Sequence, residues 1–405
     1  MFENQLRWLP SFRNLSEEQQ AVINDSFEGS SLIYGPAGSG KTAIALYRAK
    51  SLVDQGKSIK VFVFTKVLLQ FILAAANDLG IPSHSVQSFY SWVWRQHSNL
   101  IGYPNDEGGD DRFSRWTDAL IRHFQAYPAS KPRYDYIIVD EGQDFRENVA
   151  QIIRMLSPNI FIAGDTSQSL YTDLRDMGQL AQHWAPLDRP HTLVRNYRNP
   201  KTVAKVAALF LEASPLGADQ FLQTVVGRPS EMKPVWYAVG SPNERVDRIA
   251  EILSQARGSL ATGILFRHRE HLSQTAEMLS RRGVRFQVAL SGNEYHYSFR
   301  DVSIPTLTTI HSAKGIEFDL VVLPDLDADV WDADQDQPNQ RRLFFVALTR
   351  TKSRLYLISQ RDQPSAYLRE ILDSDPSLLQ VAGQAFRPGP SSYADDFDDD
   401  GPPPF

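Results

Sequence analysis

The run Gly35-Pro36-Ala37-Gly38-Ser39-Gly40-Lys41-Thr42 constrains the fold more than any other feature of this 405-residue chain. A short apolar stretch at 31–34 precedes it, and a helical stripe of Ile44, Leu46, Ala49, Leu52 and Val53 follows, stopped by Gln55-Gly56. A glycine-rich loop between a strand and a helix lets successive backbone N–H groups converge on phosphate oxygens, and the helix N-terminus adds its partial positive charge. In that setting Gly35, Gly38, Ser39 and Gly40 form the cradle, Lys41 reaches the β- and γ-phosphates, and Thr42 offers its hydroxyl to Mg²⁺. The bland alternative is a glycine-rich turn at a helix start, which leaves the Lys-Thr pair unexplained. ATP and Mg²⁺ are therefore the expected cofactors, although nucleotide binding alone names no substrate.

A second apolar run, Ile137-Ile138-Val139, ends in Asp140-Glu141-Gly142-Gln143-Asp144. Parallel sheets present ligand groups at the carboxyl ends of their strands. Asp140 is placed to hold Mg²⁺ through water, and Glu141 to orient and deprotonate an attacking water. Alone, this could be an acidic turn after a buried strand; beside the phosphate loop it completes an ATPase site.

Short β-branched runs alternate with helical patterns along the whole chain, the signature of parallel sheets with crossover helices. Strands are expected at 31–34, 59–65, 136–140 and 160–164 in the first half, and at 192–195, 235–239, 263–267, 306–310, 320–323 and 355–359 in the second. A helix at 243–256 places Val246, Ile249, Ile252 and Leu253 on one side. With 42% hydrophobic residues the chain can bury two cores, so the fold class is α/β, as two tandem parallel-sheet domains. The absence of cysteine excludes disulfides, iron–sulfur clusters and thiolate zinc sites. Residues 1–11 hold no apolar core of signal-peptide length, and the apolar stretch 61–76 is broken by Lys66 and Gln70. The expectation is a soluble, cytoplasmic protein without a membrane partner. A net charge of −6 argues against coating nucleic acid through bulk positive charge, so a nucleic-acid site must be a local groove.

The order of motifs from about Leu15 to about Leu357 resembles the UvrD/Rep-like branch of superfamily 1 DNA helicases, as a compact member. Leu15-Ser16-Glu17-Glu18-Gln19 resembles the family's Q motif, implying that Gln19 reads the adenine. Asp140 to Asp144 match its Asp-Glu-x-Gln-Asp form. Gly164-Asp165-Thr166-Ser167-Gln168-Ser169-Leu170-Tyr171 is similar to the third motif, implying that Gln168 senses the γ-phosphate and Tyr171 lies near the bound strand. Asn196-Tyr197-Arg198 matches the fourth, implying that Tyr197 stacks on the base and Arg198 is an arginine finger. Thr309 to Phe318 match the fifth, with Gly315 and Glu317 on the nucleotide side, Glu317 at the ribose, and His311 and Ser312 near the strand. Arg341 to Arg350 match the sixth, with Arg350 as the second finger.

The resemblance implies two RecA-like P-loop NTPase domains, at 1–190 with a small insert near 82–134 and at 191–385. It also implies 3′ to 5′ movement on single-stranded DNA. A finger carried by the second domain couples hydrolysis to cleft closure.

The strand track is written less sharply. Phe64-Thr65-Lys66 and Ser88-Phe89-Tyr90 look like two strand-contacting motifs, in which aromatics stack on bases and the other residues hold phosphates. Core packing is the alternative for Phe64 and Phe89. The tryptophan that usually follows the third motif's tyrosine is absent here; Trp92 and Trp94 are candidate substitutes. The intervals 42–140 and 198–309 leave little room for duplex-engaging arms, so translocation is expected before processive unwinding.

Residues 386–405 read as a disordered acidic tail. Its end, Asp395 to Phe405, resembles the acidic tip of bacterial single-stranded-DNA-binding proteins. The expectation is docking through Phe405, on partners that recognise that tip or on the chain's own groove, against a merely solubilising tail. A nucleotide-gated recruitment module acting through this tail is the alternative function, and an RNA motor is another.

Overall fold

The computed structural model describes residues 9–104, 112–169, 174, 176–211, 217–227, 232–256, 260–290, 297, 299, 301, 303–332 and 337–382. Two wholly parallel sheets organise them. In chain order the first unit contains α1 (Glu17–Asn24), β1 (Ser30–Tyr34), α2 (Lys41–Asp54), β2 (Ile59–Val63), α3 (Lys66–Asp78), β3 (Val86–Ser88), α4 (Phe89–Leu100), α5 (Arg112–Ala126), β4 (Tyr136–Val139), α6 (Glu147–Leu156), β5 (Ile160–Gly164), α7 (Met177–His183) and β6 (Arg189–Thr192). Its strands lie in the order β3-β2-β4-β5-β1-β6. The four central strands are buried throughout apart from Ser30, as expected of a parallel sheet covered by helices on both faces.

The second unit contains α8 (Lys201–Ala208), α9 (Gly217–Thr224), β7 (Val235–Val239), α10 (Pro242–Ala256), β8 (Thr262–Phe266), α11 (Arg269–Arg281), β9 (Gln287–Ala289), β10 (Thr306–Thr309), β11 (Phe318–Leu323), α12 (Ala328–Trp331), α13 (Gln337–Leu348), β12 (Thr351–Gln360), α14 (Ala366–Ser374) and β13 (Gln380–Ala382). Its sheet order is β13-β7-β12-β11-β8-β10-β9. The chain is thus a two-sheet α/β protein.

Three of these strands, β3, β9 and β13, answer to no strand in the sequence reading. The strand expected at 192–195 in the second half is β6 instead. It starts earlier and pairs with β1 from Ser31↔Arg189 to Tyr34↔Thr192, so it closes the first sheet. Pro190 is tolerated because β6 is an edge strand, where a missing N–H breaks no ladder bond on the open side. The first sheet therefore runs just past the boundary expected at residue 190. The segment expected as a small insert supplies ordinary layer helices: Trp92, Trp116, Leu120 and Phe124 of α4 and α5 are buried in the same cluster as Ile137 and Val139 of β4.

One apolar cluster crosses from unit to unit, joining Leu68 and Phe71 of α3 to Ala313 and Ile316. The Phe71 and Phe299 rings meet edge-on at 5.5 Å. Fully burying such side chains is worth about 1.5–3 kcal/mol each, so this seam holds the cleft walls together. Residues 383–405 lie outside the described residues, and with them the expected tail. Among the described residues no helix is long and apolar enough to cross a membrane.

Candidate functional site

The loop between β1 and α2 folds as its glycines demand. Gly38 and Gly40 have φ of +74° and +88°, a region costly for any residue with a Cβ. Space forbids a side chain as well: a Cβ on Gly38 would lie 2.4 Å from Arg198 Cβ, and one on Gly40 2.4 Å from Gln19 Nε2. A Cβ on Gly35 would meet Ser39 Oγ at 2.8 Å. The Ser39 hydroxyl is buried without a hydrogen-bond partner. Lys41 opens α2 and turns back on its own loop, donating to the carbonyls of Gly35 at 2.7 Å and Pro36 at 3.0 Å. Burial pushes its pKa down, against the pull of Asp165, Glu141 and Asp140. A loop whose ammonium is satisfied by its own carbonyls, beside an orphaned buried hydroxyl, suits an incoming anion.

Asp140 directly follows β4 and accepts a hydrogen bond from the Thr42 hydroxyl at 2.9 Å. Burial and the adjacent Glu141 charge raise its pKa to about 7, outweighing the Thr42 bond and the attraction of Lys41. A carboxylate strained in this way, next to a hydroxyl, matches the donor chemistry of Mg²⁺, which takes few protein oxygens and completes its shell with phosphate and water. Among the described residues there is no group of three or more His, Cys, Asp or Glu side chains that could hold a metal.

Glu141 has φ of +57°, the one described residue other than glycine with positive φ. That conformation is costly for a residue with a Cβ and falls at the turn right after β4. Burial alone would raise its pKa, but the charges of Lys314, Lys41 and Arg350 and a 2.5 Å bond from Gln143 Nε2 hold it low. It is a carboxylate at neutral pH. Gln143 also accepts from the backbone N–H of Asp165 at 2.9 Å, which ties this turn to the one after β5.

The second unit completes the cleft. Arg350, 1% exposed in the turn between α13 and β12, donates to Gln168 Oε1 and at 3.0 Å to the Val346 carbonyl. Burial and the Arg198 charge push its pKa down to about 9, so it remains protonated at neutral pH. Arg198 donates to Glu317 at 2.6 Å. Burial disfavours the Glu317 carboxylate, and Arg198 and Lys352 more than compensate. The Tyr197 N–H donates to the Gly38 carbonyl at 3.0 Å, and its ring is partly exposed. Gly315 has φ of +81°, and a Cβ there would lie 2.8 Å from Leu68 of α3.

Gln19 sits in a capping box: its Oε1 accepts the Ser16 N–H at 2.9 Å and its Nε2 donates to the Ser39 carbonyl at 2.8 Å. The structure therefore brings Gln19, Lys41, Thr42, Asp140, Glu141, Gln168, Tyr197, Arg198, Gly315, Glu317 and Arg350 to one cleft between the sheets.

The expected strand contacts are more scattered. Thr65 caps α3, accepting from Leu68 N–H at 3.1 Å, with Lys66 exposed beside it; Ser88 caps α4. Phe64 is half-buried, edge-on to Phe145 at 5.5 Å. Phe89 belongs to the core, in contact with Phe62, Trp92 and Phe145, so it presents no ring to a strand. Trp92 is fully buried too, and Trp94 is 43% exposed. His311 is exposed, and its pKa is held below the usual imidazole range by desolvation and by Lys314, Arg267 and His268. Ser312 is buried and bonded to Thr309 Oγ1 at 3.0 Å. Tyr171 lies outside the described residues.

Three groups central to the cleft were named in the sequence only as letters of a motif. Asp165 accepts from Gln168 Nε2 at 2.5 Å and approaches Lys41 to 3.8 Å. Its signal was present: a carboxylate at the end of an apolar strand, as at Asp140. Asn196 accepts the N–H groups of Arg198 and Asn199 at 3.0 and 3.1 Å and so fixes the Arg198 turn. The third is the Lys314–Asp144 ion pair.

A glycine-rich loop after a strand of one parallel-sheet unit thus faces arginines carried by the other, a two-sheet P-loop architecture. Residues 18–173 match the AAA domain family, and residues 287–362 match the UvrD-like helicase C-terminal domain. The chain is 26% identical over 246 residues to a protein named "Probable DNA helicase" from Mycoplasma pneumoniae, a match covering 55% of this chain and 43% of that protein. Over 84 residues it is 32% identical to the ATP-dependent DNA helicase PcrA of Staphylococcus epidermidis, covering 16% of this chain and 12% of the relative. The mitochondrial ATP-dependent DNA helicase HMI1 of Saccharomyces cerevisiae matches at 23% over 177 residues, covering 38% and 24%. These likenesses support a place among the UvrD/Rep-like superfamily 1 helicases. The chain spans less than half the length of these relatives.

Proposed function

We propose that the chain is an ATP-hydrolysing motor that moves along single-stranded DNA, 3′ to 5′. The observation that carries this reading is the seating of Arg350, from the second sheet's unit, on Gln168 of the first, beside Lys41 and Glu141. Glu141, kept ionised, accepts a proton from the attacking water. Lys41 leaves its loop carbonyls for the β- and γ-phosphates, and Gln168 registers the γ-phosphate. Arg198 and Arg350 stabilise charge that develops during transfer, a contribution of about 10³ to 10⁵ in rate for such arginines. Thr42 and Asp140 would hold Mg²⁺, which would supply neutralisation of the phosphate charge. The arginines fit only when the cleft is closed, so each hydrolysis cycle drives an opening and a closing.

The strand runs along the cleft mouth, past Thr65, Lys66, Ser88 and His311. No base-edge reader is needed there, so RNA belongs in the same tests as DNA. Residues 386–405, through Phe405, dock on proteins that recognise acidic aromatic tips; deleting Phe405 should abolish that capture and spare hydrolysis. Direction is tested by displacing streptavidin from single strands biotinylated at either end. ATP-dependent displacement from the 5′ end alone supports 3′ to 5′ movement, and displacement from the 3′ end alone refutes it.

A further inference from the structure

The turn joining β10 to β11 carries His311 and Ser312 at its start and Lys314 three residues on. Lys314 points the other way, into the first unit. Its ammonium is 1% exposed and lies 2.7 Å from Asp144 Oδ1 and 2.6 Å from Oδ2, the Asp144 carboxylate being itself fully buried. The same ammonium donates to the backbone carbonyl of Gln168.

Asp144 closes the short helical turn that begins immediately after Glu141, and Gln168 closes the turn after β5. Those two turns are already linked, since Gln143 binds Glu141 with one amide atom and the Asp165 N–H with the other. One cation from the second unit thus clamps both turns that position the water-orienting carboxylate. It stands on the same short loop as His311 and Ser312. A buried ion pair holds its geometry tightly, because either partner left alone in a dry interface is heavily penalised.

We propose that Lys314 is the positioning residue that couples strand occupancy to hydrolysis. A strand seated against His311 sets the β10–β11 turn, Lys314 carries that setting to Asp144 and Gln168, and Glu141 is brought into register. The inference rests on the motor reading and deepens it. It does not require Lys314 to touch nucleotide or strand.

The test compares the wild-type full chain with Lys314→Met, Asp144→Asn and the double variant. ATP hydrolysis is measured with and without saturating oligo-dT, and nucleotide affinity by titration with a fluorescent ADP. Folding is checked by thermal denaturation. The expected result is a fall of about tenfold or more in the ratio of stimulated to basal rate, within the usual range of coupling between sites. ADP affinity should change less than about twofold, and the double variant should be no worse than either single one, as for residues that act as a unit. A lysine that merely cements the interface would lower both rates and the affinity together, and that outcome overturns the proposal. So does full stimulation in Lys314→Met while the wild type is stimulated. A wild type indifferent to the strand overturns the motor reading and the coupling with it.

Discussion

Replacing Gly315 by alanine separates two costs that the structure places at one atom. The first is local: φ of +81° lies in the left-handed region, which costs a residue with a Cβ about 1–2 kcal/mol. The second arises between the units, because the new Cβ would lie 2.8 and 2.9 Å from the two terminal carbons of Leu68. Leu68 is buried on α3 and has little room to yield, so overpacking adds about 1–3 kcal/mol against closure. The local strain should lower the melting temperature of the second unit by roughly 2–8 °C. The collision should lower kcat/KM for ATP by roughly 5- to 150-fold. Leu68→Val removes the two colliding carbons, so the double variant should recover most of the rate and none of the melting temperature. Steady-state kinetics and thermal denaturation of the three variants decide the matter. Undiminished hydrolysis in Gly315→Ala, or rate loss that Leu68→Val leaves untouched, would refute the argument that closure brings these surfaces together.

Arg350→Lys keeps the charge but loses the planar fork that reaches Gln168; kcat should fall by about 10³-fold or more with ADP affinity retained, and a fall below tenfold would contradict the finger role. Arg48 is fully buried and donates to the carbonyls of Val22, Ile23, Asp25 and Ser26 and to Tyr136, with its guanidinium 4.4 Å from the Phe27 ring, so it pins α1 and hence Gln19. Arg48→Met should cost about 3–5 kcal/mol in urea denaturation, allowing for the relief of burying no charge, and a loss under about 1 kcal/mol would refute the clamp. Asp140 has a folded pKa of about 7 against 3.8 for the free side chain, so without metal it favours the folded state at low pH and loses that contribution between about pH 4 and 7. In chelator, the melting temperature of Asp140→Asn should therefore gain on the wild type across that window, and a difference independent of pH would contradict the assigned strain.

What was legible in the sequence had short range. The phosphate loop, its helix and the acidic strand end were readable because glycines, a lysine and carboxylates must sit within a few residues of apolar runs. The central strands were readable because burial on both faces makes them continuously apolar. The edge strands β3, β9 and β13 are three residues each and hold a single valine beside a glutamine, so no run announces them. β6 was misplaced because Arg189-Pro190-His191-Thr192 reads as a turn, and only its pairing with β1 makes it a strand. Phe89 follows a capping serine just as a strand-facing aromatic would, and only tertiary packing against Phe62 and Trp92 assigns it to the core. Lys314 and Asp144 are 170 positions apart, beyond any local pattern.

The central claim is that this cleft hydrolyses ATP in response to a strand. Steady-state hydrolysis should be measured with and without single-stranded DNA, with single-stranded RNA alongside and Glu141→Gln as the blank. Strong stimulation that the variant abolishes and added salt weakens is the predicted result. Hydrolysis that proceeds at one rate whatever strand is added would contradict the motor reading, and would leave a nucleotide-gated recruitment module in its place.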